Sequence, residues 1–239
     1  GGGVAGVAGN GQRELAEAIV GLRPLSAGRL RLRGRDISRS SARDRLLAGV
    51  AYVPEDRLRE GILPHLSLAE TFALGLHESI LGRRWMLDER RMRSLAREAI
   101  KEYAIAVPNE QMPTAKLSGG NIQKVLVARA MLLASRRSSG VLVAMNPTRG
   151  LDIGTTEFVH RRLLELRDRG GGVLLVSEDL DELMRFSDRI LVLYRGRITA
   201  SFERADFDAY RIGSMMAGTA GDGGEMGMAA GDVEHGHGN

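Results

Sequence analysis

Short apolar runs alternate with amphipathic helices towards both ends of this chain, around a long central stretch with no strand character. That pattern restricts the fold more than any other feature of the sequence. Val4-Ala5 opens the series, Val50-Ala51-Tyr52-Val53 follows and is closed by Pro54, and residues 140–145, 172–177 and 189–194 are further buried runs, with 197–202 returning as a hairpin partner. Residues 12–21, 154–169 and 180–186 carry apolar positions at helical spacing. In the first of them Leu15, Ala18, Ile19 and Leu22 share a face. Strands separated by helices build crossover units and hence a mostly parallel sheet. From 67 to about 134 the chain reads as almost wholly helical, with Ser67 as N-cap, Glu70 three residues on and a charged amphipathic stretch at 87–103. A short helix is predicted around 43–48. Residues 27–37 alternate apolar with basic side chains, as a half-buried strand leading into a turn does. The fold class is therefore α/β, a mostly parallel sheet core with a helical subdomain inserted at about 57–135.

Composition excludes several classes of function. Cysteine is absent, which removes disulfides, thiolate metal sites and cysteine nucleophiles. The net charge of +4 is too small to imply nucleic-acid binding without a concentrated patch. Arg29, Arg31, Arg33 and Arg35 form a basic ridge, but no aromatic residues interleave for base stacking, so the ridge reads as an exposed strand face. No apolar run approaches the roughly 18 residues of a membrane span. The chain opens Gly1-Gly2-Gly3 without initiator Met or signal-peptide pattern and reads as a fragment with a strand already under way. Residues 218–239 are glycine-rich and without aromatics, and are expected to be a disordered tail in which His235 and His237 are solvated. His65, His77 and His160 read as structural residues, and Trp85 as a packing residue.

Two glycine-rich strings carry the chemistry. Gly6-Val7-Ala8-Gly9-Asn10-Gly11-Gln12-Arg13-Glu14 has the spacing of a loop that wraps backbone N–H groups round phosphate at a helix N-terminus. Alone it is equally the pattern of a tight turn. Leu117-Ser118-Gly119-Gly120-Asn121-Ile122-Gln123 opens a second long helix (122–133), with a capping Ser118 and glycines that let a ligand approach the backbone.

At this string the sequence resembles the ATP-binding cassette family, whose signature it matches. Met145-Asn146-Pro147-Thr148-Arg149-Gly150-Leu151-Asp152 follows as the family's strand end, Pro-Thr turn and Gly-Leu-Asp loop. Tyr52-Val53-Pro54-Glu55-Asp56-Arg57 lies where its coupling loop would be, and Ser177-Glu178-Asp179-Leu180 where its switch would be. The Pro-Glu-Asp-Arg string is similar to the second cassette of tandem importers for simple sugars or nucleosides. The resemblance runs over residues 1–217 and implies a P-loop NTPase-like cassette.

The resemblance assigns Gly6, Gly9, Asn10, Gly11, Gln12, Arg13, Glu14 and Glu55 to nucleotide binding. Leu117, Ser118, Gly119, Gly120, Asn121 and Gln123 form the signature, Asp152 belongs to the loop between cassettes, and Asn146 and Glu178 occupy the catalytic positions. The match is systematically broken at its chemical positions. Gln12 replaces the phosphate lysine, Arg13 the Mg²⁺-ligating hydroxyl, Met145 the metal-holding carboxylate, Asn146 the general-base Glu, Glu178 the switch His and Glu55 the coupling-loop Gln. Phosphoryl transfer rests on cations that neutralise phosphate and a group that orients water. This cassette's own site is thus expected to be degenerate, with no metal ligands of its own, while its signature completes the ATP and Mg²⁺ site of another cassette, in tandem or as a dimer. The implied partners are membrane permease subunits and, indirectly, a solute-binding protein, with no nucleic acid. The implied place is the cytoplasmic face of the plasma membrane, peripherally bound. A tandem cassette ATPase acting on ribosomes or nucleic acid, and a non-hydrolytic scaffold, are the competing readings.

Overall fold

The computed structural model describes residues 1–76, 88–135 and 140–219. The expectations for His77, Trp85 and the tail beyond residue 219 fall outside them. Six strands form the main sheet: β1 (Gly2–Ala5), β4 (Val50–Val53), β5 (Val141–Met145), β6 (Gly172–Ser177), β7 (Arg189–Tyr194) and β8 (Arg197–Glu203). Their order is β4-β5-β6-β1-β7-β8. Every neighbouring pair is parallel except β7 with β8. The α/β class with a mostly parallel sheet is therefore what the chain adopts.

Strand β1 is central and covered on both faces, which accounts for its small side chains. A Cβ at Gly3 would collide with Ser187 and Leu183, so glycine there lets helix α7 (Leu180–Phe186) lie close to the sheet. Alternation along β5 divides the core in two. Leu142 and Ala144 join the larger cluster, which holds Phe72, Val125, Leu163, Leu183 and Ile190. Val143 and Met145 join the smaller one, with Val4, Ala16, Val20 and Leu193. The side chain of Met145 is thereby directed towards helix α1 (Gln12–Val20).

Three local expectations are corrected. The buried side of α1 is Gln12, Ala16 and Val20, whereas Leu22 is 64% exposed. Gly21 takes a left-handed conformation (φ 88°), ending the helix and turning Leu22 outward. The 27–37 run is not one strand. Arg33 and Gly34 both have positive φ, the requirement of a two-residue hairpin turn, so β2 (Arg31–Leu32) pairs with β3 (Arg35–Asp36). The central stretch is only partly helical, with α3 (Leu68–Ala73), α4 (Glu89–Glu102) and α5 (Gly119–Ala134); between α4 and α5, Ala104 is left-handed and Pro108 and Pro113 lack the N–H a helix needs. The Ser67–Glu70 capping box is present. Helix α2 (Ala42–Leu47) begins on a second capping box, Ser41–Asp44. Its Arg45 is 1% exposed and donates to the carbonyls of Ile19, Ser38 and Ser40 at 2.9–3.1 Å and to that of Ala18, fastening the C-terminal end of α1 to α2. Helices α6 (Ile153–Asp168) and α8 (Ala209–Met216) complete the chain. Among the described residues no helix is long and apolar enough to cross a membrane.

Candidate functional site

Loops leaving the C-terminal ends of β4, β1, β5 and β6 meet in one cleft, where open parallel sheets place their ligands. Its volume is about 210 Å³, and Gly6, Gly9, Gly11, Gln12, Arg13, Glu14, Glu55, Met145, Asn146 and Glu178 line it. Asn10 anchors the glycine loop instead of facing the cleft. Its Nδ2 donates to the Val7 carbonyl (2.9 Å), its Oδ1 accepts from Arg195 N–H (2.8 Å) and its carbonyl accepts from Gly196 N–H (2.8 Å).

The interior of that loop is filled by its own side chain. Gln12, 7% exposed, folds back so that Oε1 accepts from Asn10 N–H at 3.0 Å and Nε2 donates to Val7 carbonyl at 2.8 Å. A Cβ on Gly6 would sit 2.5 Å from Gln12 Nε2, so the glycine gives room for the glutamine. Arg13 points out of the loop. It pairs with Glu17 at 2.8 Å and with Glu60, and the Glu17 hydrogen bond followed by the Glu60 charge raises its pKa further. Glu14 is exposed in the first turn of α1.

In the adjoining cavity lined by Arg13, Tyr52, Glu60, Met145 and Arg149, Tyr52 hydroxyl donates to Met145 Sδ at 3.4 Å. Burial first, and then the nearby carboxylates of Glu60 and Glu17, push the phenol up to about 12, so it remains a donor across the physiological range. Mg²⁺ requires oxygen ligands in octahedral array, and here a thioether holds the strand end. Among the described residues no group of three or more acidic or histidine side chains could bind a metal. The side chains at this strand end do not fit a resident Mg²⁺.

Asn146, in a left-handed conformation (φ 40°), bridges two loops. Its Nδ2 donates to Glu55 Oε1 and its Oδ1 accepts from Glu178 N–H, both at 3.0 Å. Arg149 also donates to Glu55 Oε1, and Arg57 donates to Arg149 carbonyl at 3.3 Å. Behind this wall lies a buried carboxylate. Glu182 accepts from Ser177 (2.6 Å), His160 Nε2–H (2.7 Å) and Thr148 (2.8 Å). Burial alone would raise its pKa, but the three hydrogen bonds outweigh that and hold it below 4.5.

Residues 117–123 and Asp152 do not line the cleft. Ser118 caps α5, is exposed, and accepts from Asn121 Nδ2 at 3.0 Å. Gly119 is exposed and a Cβ there would meet nothing within 4 Å. Asn121 is taken up internally, its Oδ1 accepting from Ala106 N–H at 2.9 Å. Gln123, 2% exposed, donates to Pro147 carbonyl at 2.5 Å. Asp152 caps α6 through Thr155 N–H and hydroxyl, both at 2.8 Å, and Thr155 Oγ1 lies 3.1 Å from where Gly120 would carry a Cβ. Leu117 is partly buried against the core. Sequence reasoning gave no site role to Arg149, Thr155 or the Glu182 cluster. Arg149 had a signal in its place in the Pro-Thr-Arg-Gly string, as Tyr52 had in the string that runs to Arg57.

A family model described as "ABC transporter" matches residues 2–137, more than half of the chain. Among curated proteins, the guanosine import ATP-binding protein NupO of Bacillus subtilis (strain 168) is 39% identical over 221 residues, 91% of this chain and 42% of that protein. The glucose import ATP-binding protein TsgD13 of Haloferax volcanii is 41% identical over 219 residues, 90% of this chain and 39% of that one. The chain thus spans about two fifths of the length of the curated relatives it matches. Among solved structures, the dimeric post-hydrolysis state of an ATP-binding cassette bound to ADP and Pi superposes with a TM-score of 0.70 at 24% identity, covering 86% of each chain, a likeness of fold.

Proposed function

The chain belongs to the ABC transporter family, and from that premise we propose that it is the second, degenerate cassette of an import ATP-binding protein for simple sugars or nucleosides. The names of its relatives favour this: import ATP-binding proteins for guanosine, nucleosides, glucose and ribose. In the proposed assembly ATP with Mg²⁺ is bound and hydrolysed at a partner cassette's intact site, and this chain lends it Ser118, Gly119 and Gly120. Asp152 aligns the two halves. Membrane permease subunits dock on the inserted helical region and residues 55–61, a solute-binding protein acts indirectly, and the pair sits peripherally on the cytoplasmic face of the membrane.

One contrast carries the reading. Gln12 fills the phosphate loop from inside, while the backbone at Ser118 and Gly119 stands exposed and open. A charge-assisted contact is worth about 1.5–3 kcal/mol, and the positions of Gln12, Met145 and Asn146 have each lost one, so many decades of hydrolysis rate are gone. Purified alone with Mg²⁺ and ATP, the chain is expected to release phosphate at background rate. Robust Mg²⁺-dependent turnover would overturn the assignment. In the complete transporter, Ser118→Arg is expected to abolish ATPase and transport together. Survival of both activities would show that the signature is not donated.

A further inference from the structure

In this half the contacts that a bound nucleotide and metal could make between loops are already made by side chains. Glu55 belongs to the segment after β4, Asn146 and Arg149 to the turn after β5, and Glu178 to the turn after β6, each at the end of a different strand. The orientation of the Asn146 amide is fixed by its partners, because a carboxylate can only accept and a backbone N–H can only donate. One planar side chain therefore reads both loops at once, Nδ2 to Glu55 and Oδ1 to Glu178 N–H. Its left-handed backbone, a conformation asparagine tolerates better than most residues, presents the amide between them.

Arg149 adds a charge on the same Glu55 oxygen, and Arg13 ties α1 to Glu60 in the continuing 55–61 segment. The next residue along, Pro147, accepts from the buried Gln123 at the start of α5. The linkage thus reaches the signature helix.

We propose that Asn146, Glu55 and Arg149 form a permanent clasp that holds the 55–61 segment, the switch turn and the signature helix in one arrangement without nucleotide. This half then acts as a fixed platform whose conformation does not follow the ATP cycle. The proposal rests on the reading that its own site is non-hydrolytic, but it makes a separate claim about motion.

Amide hydrogen exchange of the full chain tests it. Leu58 and Arg59 N–H groups are held by Asp56, Glu60 N–H by the Asp56 carbonyl, and Glu178 N–H directly by Asn146. Exchange of these four amides is expected to be the same with and without Mg²⁺ and ATP. Asn146→Asp keeps the acceptor for Glu178 but puts a like charge against Glu55. It should speed exchange at residues 58–60 by roughly five- to tenfold, the worth of one lost hydrogen bond, and leave Glu178 protected. Glu55→Gln retains the acceptor oxygen and should stay close to wild type, whereas Glu55→Ala should behave as Asn146→Asp does. Nucleotide-induced protection at 58–60 in the wild type, or unchanged exchange in Asn146→Asp, would overturn the clasp. Phosphate release measured on the same samples separates the two claims, since turnover strikes the non-hydrolytic reading, whereas wild-type exchange rates in Asn146→Asp without turnover strike only the clasp.

Discussion

Glu182→Ala should be among the most destabilising single changes in this chain. The carboxylate side chain is 3% exposed and accepts from Ser177, His160 and Thr148, which stand on β6, α6 and the turn after β5. Truncation leaves three donors facing a void, and an unsatisfied buried donor costs about 1–3 kcal/mol. The two hydroxyls can rotate and the imidazole can change tautomer, so the costs do not add, and a net loss of about 3–4 kcal/mol is expected. Glu182→Gln keeps the shape and one acceptor oxygen but turns an N–H₂ group towards donors, for a loss of about 2 kcal/mol. With a urea dependence of about 2–3 kcal/mol/M, the alanine variant's midpoint should fall by a little over about 1 M, followed by circular dichroism. The pH dependence has a definite sign. The folded pKa lies below the unfolded value of 4.5, so the stabilisation is complete above pH 4.5 and is lost as pH falls through the lower folded value. Wild type and Glu182→Gln should therefore converge in acid. A midpoint for Glu182→Ala within about 0.2 M of wild type, or a Gln–wild-type gap that persists through acid, would refute the reasoning.

Gly6→Ala places a Cβ 2.5 Å from Gln12 Nε2 and 2.8 Å from the Leu193 carbonyl; it should cost about 2–3 kcal/mol in urea unfolding, and adding Gln12→Ala should recover only part, because the carbonyl remains. Arg45→Met strips four carbonyls of their donor and should lower stability by about 3 kcal/mol, read as a fall in thermal midpoint. Alkaline spectrophotometric titration should contain a phase near pH 12 that loses amplitude in Tyr52→Phe and again in Tyr103→Phe, both phenols being pushed up to about 12 chiefly by burial. Since their folded pKa values lie above the ordinary 10, this contribution to stability is present below pH 10 and is lost as pH rises through 12.

The sheet was legible because its strands are buried on both faces and so read as unbroken apolar runs between helices. The misread places are those where a single backbone angle decides. Arg33 at positive φ makes a hairpin out of what alternation alone presents as one strand, and Gly21 removes Leu22 from a face that helical spacing assigned to it. For the site, the glycine strings announced the loops, and the missing lysine and carboxylates carry the expectation of altered chemistry. The contacts now made at those positions were hidden for two reasons. The Gln12 contacts are local but depend on the loop's exact path. The Glu55–Arg149 pair joins residues 94 positions apart, brought together only by the pairing of β4 with β5.

On the proposed non-hydrolytic reading, the Glu55–Asn146 contact limits how the site could be made hydrolytic. The resemblance places Glu at 146 and Gln at 55, an arrangement with one carboxylate at this contact. Here the carboxylate stands at 55 and the amide at 146, again one of each, at 3.0 Å. Asn146→Glu alone would set two carboxylates against each other, at a cost of about 1–2 kcal/mol for a partly exposed pair, in addition to straining a left-handed residue. Glu55→Gln should be nearly neutral singly and should rescue Asn146→Glu, giving a coupling energy of about 1 kcal/mol in a double-mutant cycle read by urea unfolding. Additive single effects would mean that the two side chains do not sense one another, and that the amide's position between the loops is incidental. Even the rescued pair should release no phosphate while Gln12 fills the loop and Met145 ends the strand. Gln12→Lys with Arg13→Ser is expected to restore triphosphate binding first, and hydrolysis should follow only when Met145→Asp supplies an oxygen ligand for the metal.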